Sequence, residues 1–91
     1  MYIMIKFIKT LDNPKYTLKK FFKVEIILEK KRFIGIIGML GICCINTSVN
    51  KVLADIKKQI ISRYEYYSPK DDLGAVCLRW KKILLLRVKK N

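Results

Sequence analysis

Histidine is absent from the 91-residue chain, and its absence removes most of the side-chain chemistry open to a small protein. The Ser–His and Cys–His nucleophile pairs need an imidazole as base, and most zinc sites need one as ligand. Three cysteines are present, Cys43, Cys44 and Cys77. Two of them are adjacent and the count is odd, so they form neither a CxxC metal knuckle nor a disulfide framework. No basic residue stands beside Cys43-Cys44 to draw down a thiol pKa, which predicts buried or half-buried thiols in a reducing compartment. The seven acidic residues fall in no acid–base motif, and Asp71-Asp72 reads as a solvated loop. Gly35, Gly38 and Gly41 match neither GxGxxG nor Walker spacing, and no GK[ST] follows. A non-catalytic protein without metal or cofactor is expected.

The chemistry that remains is cationic. Lys and Arg total 20 against 7 Asp and Glu, a net charge of +13. The basic residues recur in short clusters: Lys19-Lys20, Lys30-Lys31-Arg32, Lys57-Lys58, Lys81-Lys82 and Lys89-Lys90. Positive charge spread in this way neutralises many phosphates at once and releases counterions, with little readout of base sequence. Trp80, Tyr16, Tyr64, Tyr66 and Tyr67 could stack on unpaired bases, although aromatics at strand spacing more often fill a core. Hydrophobic residues make up 52% of the chain, which excludes a disordered basic tail. At this length folding yields one modest core and a single domain.

The residue skew describes the gene. There are 16 Lys against 4 Arg and 14 Ile against 2 Ala, the pattern of AT-rich codons and hence of an AT-rich genome such as an organellar one. The first 31 residues contain neither Arg nor Ser, unlike a mitochondrial presequence. No removable targeting segment is expected, as for a protein made inside the organelle.

Several elements must position these cations. Phe21 to Leu28 alternates with period two and predicts a strand. Phe33, Ile36, Ile37 and Leu40 recur at helical spacing, interrupted by glycines that each cost about 1 kcal/mol relative to Ala, which predicts a short helix ended by Gly41. Asn46-Thr47-Ser48 can cap a second helix, whose apolar stripe is Val49, Val52, Leu53, Ile56 and Ile60. Arg63 to Tyr67 reads as a strand, with Tyr64 and Tyr66 on one face. Leu73 to Trp80 alternates again, with Val76, Leu78 and Trp80 on one side. Ile83 to Val88 reads as a strand-like extension.

Residues 33–50 carry no charge over 18 positions, close to the length of a membrane span. Only the first thirteen are apolar, so a buried core segment is expected and a membrane partner is not. The alternative is a small membrane-associated or respiratory-complex accessory subunit, with residues 33–50 as its apolar segment and flanking lysines as anchors.

The order strand–helix–helix–strand resembles the universal large-subunit ribosomal protein family uL-thirty, in its mitochondrial branch. Val24-Glu25-Ile26-Ile27-Leu28 resembles that family's first strand. Met39-Leu40-Gly41-Ile42 resembles the Leu-Gly-Leu end of its first helix. Asn46-Thr47-Ser48-Val49-Asn50, followed by Leu53, Ile56 and Lys57, resembles the start and apolar face of its second helix. Tyr64 to Tyr67 would be the last strand. Thr47 stands where the family commonly has Pro, and Lys58 where it commonly has His. The basic loop and first helix are several residues shorter than the family's.

The resemblance spans Phe21 to Tyr67. It implies a core module over 21–67, flanked by extensions over 1–20 and 68–91. It also implies a non-catalytic constituent of the large ribosomal subunit in the mitochondrial matrix, bound to ribosomal RNA and to neighbouring large-subunit ribosomal proteins. The expected fold is a small α+β sandwich of ferredoxin-like type, with two helices on one face of an antiparallel sheet. By position, the loop that approaches RNA in the family falls on Lys30, Lys31 and Arg32. Lys51, Lys57 and Lys58, on the exposed face of the second helix, are expected to contact phosphates.

Overall fold

The computed structural model describes residues 2–91, and its architecture is α+β, with a four-stranded antiparallel sheet, a two-stranded sheet and two helices. Strands β1 (Tyr2–Ile8), β3 (Phe22–Glu29), β4 (Arg32–Ile37) and β5 (Ile42–Asn46) form the main sheet in the order β1-β3-β4-β5. Strand β2 (Tyr16–Leu18) pairs with β6 (Val88–Lys90) in the small sheet. Helix α1 spans Val49–Tyr67 and α2 spans Ala75–Arg87. The antiparallel sheet with two helices agrees with expectation, whereas several individual elements do not.

Residues 33–41 are not helical. They form β4, a single 3-10 turn at Gly38–Leu40, and Gly41 in the left-handed region at φ 63°. A short apolar run suits a buried strand as well as a helix, and β4 satisfies its backbone by pairing with both β3 and β5. Residues 33–50 therefore run through two strands of the sheet, the 3-10 turn between them, the cap at Ser48 and the first two residues of α1. Among the described residues, no helix is long and apolar enough to cross a membrane.

Arg63 to Tyr67 is likewise not a strand. Helix α1 continues through it, because Tyr64 and Tyr67 follow Ile60 at helical spacing and pack on the core. The strand preference of tyrosine amounts to less than about 1 kcal/mol and is context-dependent, so core packing decides. Leu73 to Trp80 is not a strand either: from Ala75 it is helical, with Trp80, Ile83 and Leu84 facing inward while Val76 and Leu78 are exposed. Ile83 to Arg87 completes the same helix.

The core lies between one face of the main sheet and the helices. Phe22, Val24 and Ile26 of β3, with Ile37 and Ile42, meet Val52, Ile56 and Ile60 of α1. The Ser48 hydroxyl accepts the Lys51 N–H at 3.2 Å and starts α1. Helix α2 adds Leu84, and the terminal segments contribute Ile8, Leu11, Tyr16 and Val88. Residues on both sides of 21–67 are thus buried in the one core.

Among the described residues, none covers the opposite face of the sheet. Ile3, Ile27, Ile34 and Ile45 line up across all four strands in one ladder row, and Ile5, Glu25, Ile36 and Cys43 form the next. Ile3 is 59% exposed and Ile45 54%. Phe7 meets Phe21 edge to face at 5.2 Å beside Lys23.

Gly35 lies where α1 crosses β4, and a Cβ there would strike Val52 Cγ1 and Ile56 Cδ1. Gly35→Ala should destabilise the fold by about 1–3 kcal/mol, read as a lower urea midpoint with unchanged m-value.

Candidate nucleic-acid interface

Six basic residues were expected to form the site, and the fold distributes them over two places. Lys30 and Lys31 are the central residues of the two-residue loop joining β3 to β4, closed by the ladder pair Glu29 and Arg32. Both are exposed and both have positive φ, 49° and 65°. Such loops match the twist of the flanking strands only when both central residues are left-handed, which favours Asn-Gly. Lysine adopts that backbone at a cost on the order of 1 kcal/mol each. Two ammonium groups consequently project from the tip of the β3–β4 hairpin. Arg32 faces Glu29 on the uncovered side of the sheet, where Glu29, Lys30, Arg32, Ile34 and Ile45 line an open cleft of about 380 Å³.

Lys51 stands in the first turn of α1. Because Asn46 at the end of β5 is the ladder partner of Phe33, α1 starts at the same end of the sheet as the hairpin tip. Asn46 Nδ2 donates to Asp55 at 3.0 Å and ties that corner together. Lys30, Lys31, Arg32 and Lys51 thus share one end of the molecule.

Lys57 and Lys58 lie elsewhere, beside the loop that follows β1. Lys57 Nζ pairs with Asp12 Oδ2 at 2.5 Å and is only 21% exposed. A charge compensated in this way contributes less to phosphate binding than a free one. Lys58 is exposed beside Leu11, Asp12 and Asn13.

The aromatic candidates mostly serve the core. The Tyr16 hydroxyl donates to Glu65 Oε2 at 2.8 Å, and that bond, with burial, raises its pKa. Tyr64 and Tyr67 pack against the core. Trp80 lies against Gly41, with the Arg63 guanidinium over its ring at 5.0 Å. Tyr66 is exposed, with the Lys70 ammonium 4.5 Å from its ring centre. The thiols are separate from one another in role: Cys43 is exposed on the uncovered face, while burial and then the charge of Asp55 raise the Cys44 pKa. Cys77 Sγ reaches the Tyr67 hydroxyl at 3.8 Å. Among the described residues, no group of three potential metal ligands converges.

Sequence reasoning missed one juxtaposition. Pairing of β2 with β6 brings the Lys19-Lys20 and Lys89-Lys90 clusters together, and no local spacing rule reports such a long-range pair.

No protein-family model, no curated protein and no solved structure matches the chain.

The double substitution Lys30→Asn, Lys31→Gly should raise stability by about 1 kcal/mol or more by relieving the left-handed lysines. The same variant should bind RNA more weakly than the parent, and thermal melting alongside filter binding would read both effects. A loss of stability would refute this account of the turn.

Proposed function

We propose that this chain is a non-catalytic RNA-binding protein, a structural constituent of a ribonucleoprotein that clamps folded RNA by charge neutralisation. The assembly that its composition and its resemblance to uL-thirty point to is the large subunit of an organellar ribosome, in the mitochondrial matrix. One observation carries the reading: two lysines hold a backbone conformation unfavourable to them at the exposed tip of a hairpin. Local strain of this kind is retained where the strained residues have work to do. Arg32 beside them and Lys51 at the same end of the sheet enlarge the positive surface. The net charge of +13 supplies the long-range attraction to phosphates.

The uncovered isoleucine face suits a different partner. Glu25 sits within it, and the charged residues of that face, Lys23, Glu25, Glu29 and Arg32, sum to zero. Phosphates would be repelled by Glu25 and gain nothing from the isoleucines. An apolar patch with balanced charges fits the surface of a neighbouring protein in the same particle.

Two experiments test the reading. Detergent-solubilised organelles would be run on a sucrose gradient before and after RNase. Co-migration with the large subunit, lost on RNase treatment, is expected, and migration near the top of both gradients would refute it. The triple variant Lys30→Glu, Lys31→Glu, Arg32→Glu should enter the particle several-fold less well. Separately, Ile3→Thr with Ile5→Thr, which add no charge and lie outside the cleft beside Lys30 and Arg32, should leave stability within about 0.5 kcal/mol per site and leave RNA affinity intact. Incorporation of that double variant into the particle should fall, and normal incorporation would remove the protein-facing role of the sheet.

A further inference from the structure

The positive charge is concentrated in two segments. Residues 13–24 and 73–91 hold ten of the twenty basic residues and none of the seven acidic ones. These 31 positions therefore carry +10, and the other 60 carry only +3. The segments are far apart in sequence, yet the fold joins them through the small sheet. Tyr16 pairs with Lys90, Thr17 with Lys89 and Leu18 with Val88. Backbone bonds extend the same register by one row at each end: the Lys19 N–H donates to the Arg87 carbonyl at 2.6 Å, and the Asn91 N–H to the Lys15 carbonyl at 2.8 Å.

The register sorts the side chains. In the even rows Tyr16, Leu18 and Val88 turn inward against the core. Neighbouring residues on a strand point to opposite faces, so the odd rows turn outward. Those rows are Lys15 opposite Asn91 and Thr17 opposite Lys89; beyond them the exposed Lys19 lies opposite Arg87, the last residue of α2, whose half-buried guanidinium sits over the Phe22 ring at 5.1 Å. Three exposed cations, Lys15, Lys19 and Lys89, and two neutral hydrogen-bonding groups make up this outer face, with Arg87 at its edge, and no acid interrupts it. Thr17 Oγ1 donates to Asn91 Oδ1 at 2.7 Å, and Asn91 Nδ2 donates to the Pro14 carbonyl at 3.0 Å, fixing the end of the ribbon. Lys19 Nζ donates to the Leu85 carbonyl, and the Arg87 guanidinium donates to the Phe21 carbonyl at 2.7 Å. Those bonds fix the two cations in place and leave their charge uncompensated. The nearest acid on the inner side, Glu65, is engaged by Tyr16.

We infer that the outer face of the β2–β6 ribbon is a second phosphate-backbone site, at which Lys15, Lys19 and Lys89 contact the sugar–phosphate chain of RNA and Arg87 adds positive charge at the edge. Rows of the same face repeat every two residues, about 6.8 Å along the strand, so the cations form a two-column ladder. The site reads backbone rather than base sequence, because it offers point charges and no aromatic platform. It rests on the RNA-binding reading and differs from the hairpin tip, which alone would make a single point of attachment.

The test is the salt dependence of binding to a random-sequence RNA duplex and to its single strand. Lys15→Gln with Lys89→Gln should reduce the slope of log K against log salt by about 1.4–1.8, at roughly 0.7–0.9 per lost contact. Lys6→Gln with Lys9→Gln removes the same net charge outside the ribbon and should change the slope much less. Equal slopes for the two double variants, with the parent still binding, would overturn the ribbon site and leave the RNA reading standing. No salt-dependent binding by the parent would overturn both. Should the ribbon variant fail to fold, lysine acetylation of the parent reads the same point. RNA should protect Lys15 and Lys89 more than Lys6 and Lys9, and equal labelling would overturn the site.

Discussion

The approach of one helix to one strand governs how this molecule is arranged. Helix α1 comes so near β4 that position 35 has no room for a Cβ between Val52 and Ile56. That contact commits one face of the sheet to the interior, and Ile56, Val52 and Ile60 become wholly buried on it. Helix α2 has no sheet surface left at that site and packs on α1 and the 3-10 turn instead, where Trp80 presses on Gly41. With both helices on the same side, the other face of the sheet has nothing within the described chain to cover it. The exposed isoleucines are thus a consequence of topology, since strand alternation continues through rows that no helix reaches.

Charge and apolar surface are separated in the same way. The uncovered face is nearly neutral and rich in isoleucine. The hairpin tip, the first turn of α1 and the small sheet carry lysine. A solvated monomer gains little from such a division, because its large apolar face contacts water and its like charges repel. Two kinds of neighbour resolve both conditions at once, one anionic and one apolar. The proposed place in a ribonucleoprotein would supply both, which would account for a chain of this charge that is also more than half hydrophobic.

Much of the core was readable from the sequence. The stripe from Val49 to Ile60 lies where helical periodicity placed it, and Phe22, Val24 and Ile26 face inward as period two required. The failures have a shared cause. The run after Phe33 carries apolar residues compatible with both periods, and the third dimension decides: a strand there gains two paired neighbours, whereas a glycine-interrupted helix would gain none. Tyr64 to Tyr67 and Val76 to Trp80 misled through aromatic and β-branched content, which describes a side chain's fit to a half-buried surface rather than a backbone preference. Lys30-Lys31-Arg32 was visible as a charged break between strands. Its left-handed geometry was not, since Lys-Lys carries none of the Gly or Asn signal for such a turn. The compensation of Lys57 by Asp12 across 45 positions was equally invisible.

The small sheet also sets an order in time. Strands β3, β4 and β5 are consecutive hairpin neighbours and can pair as soon as they emerge during synthesis. Strand β2 must wait for β6, and Thr17 finds Asn91 only 74 residues later. Closing so long a loop carries a large entropic cost and rewards it with three ladder rows and one backbone bond beyond each end. The ribbon is therefore the last joint to close and the first to open. On the proposed RNA-binding reading, its lysines would spend the interval on two unpaired arms, able to meet a polyanion before the chain has finished folding.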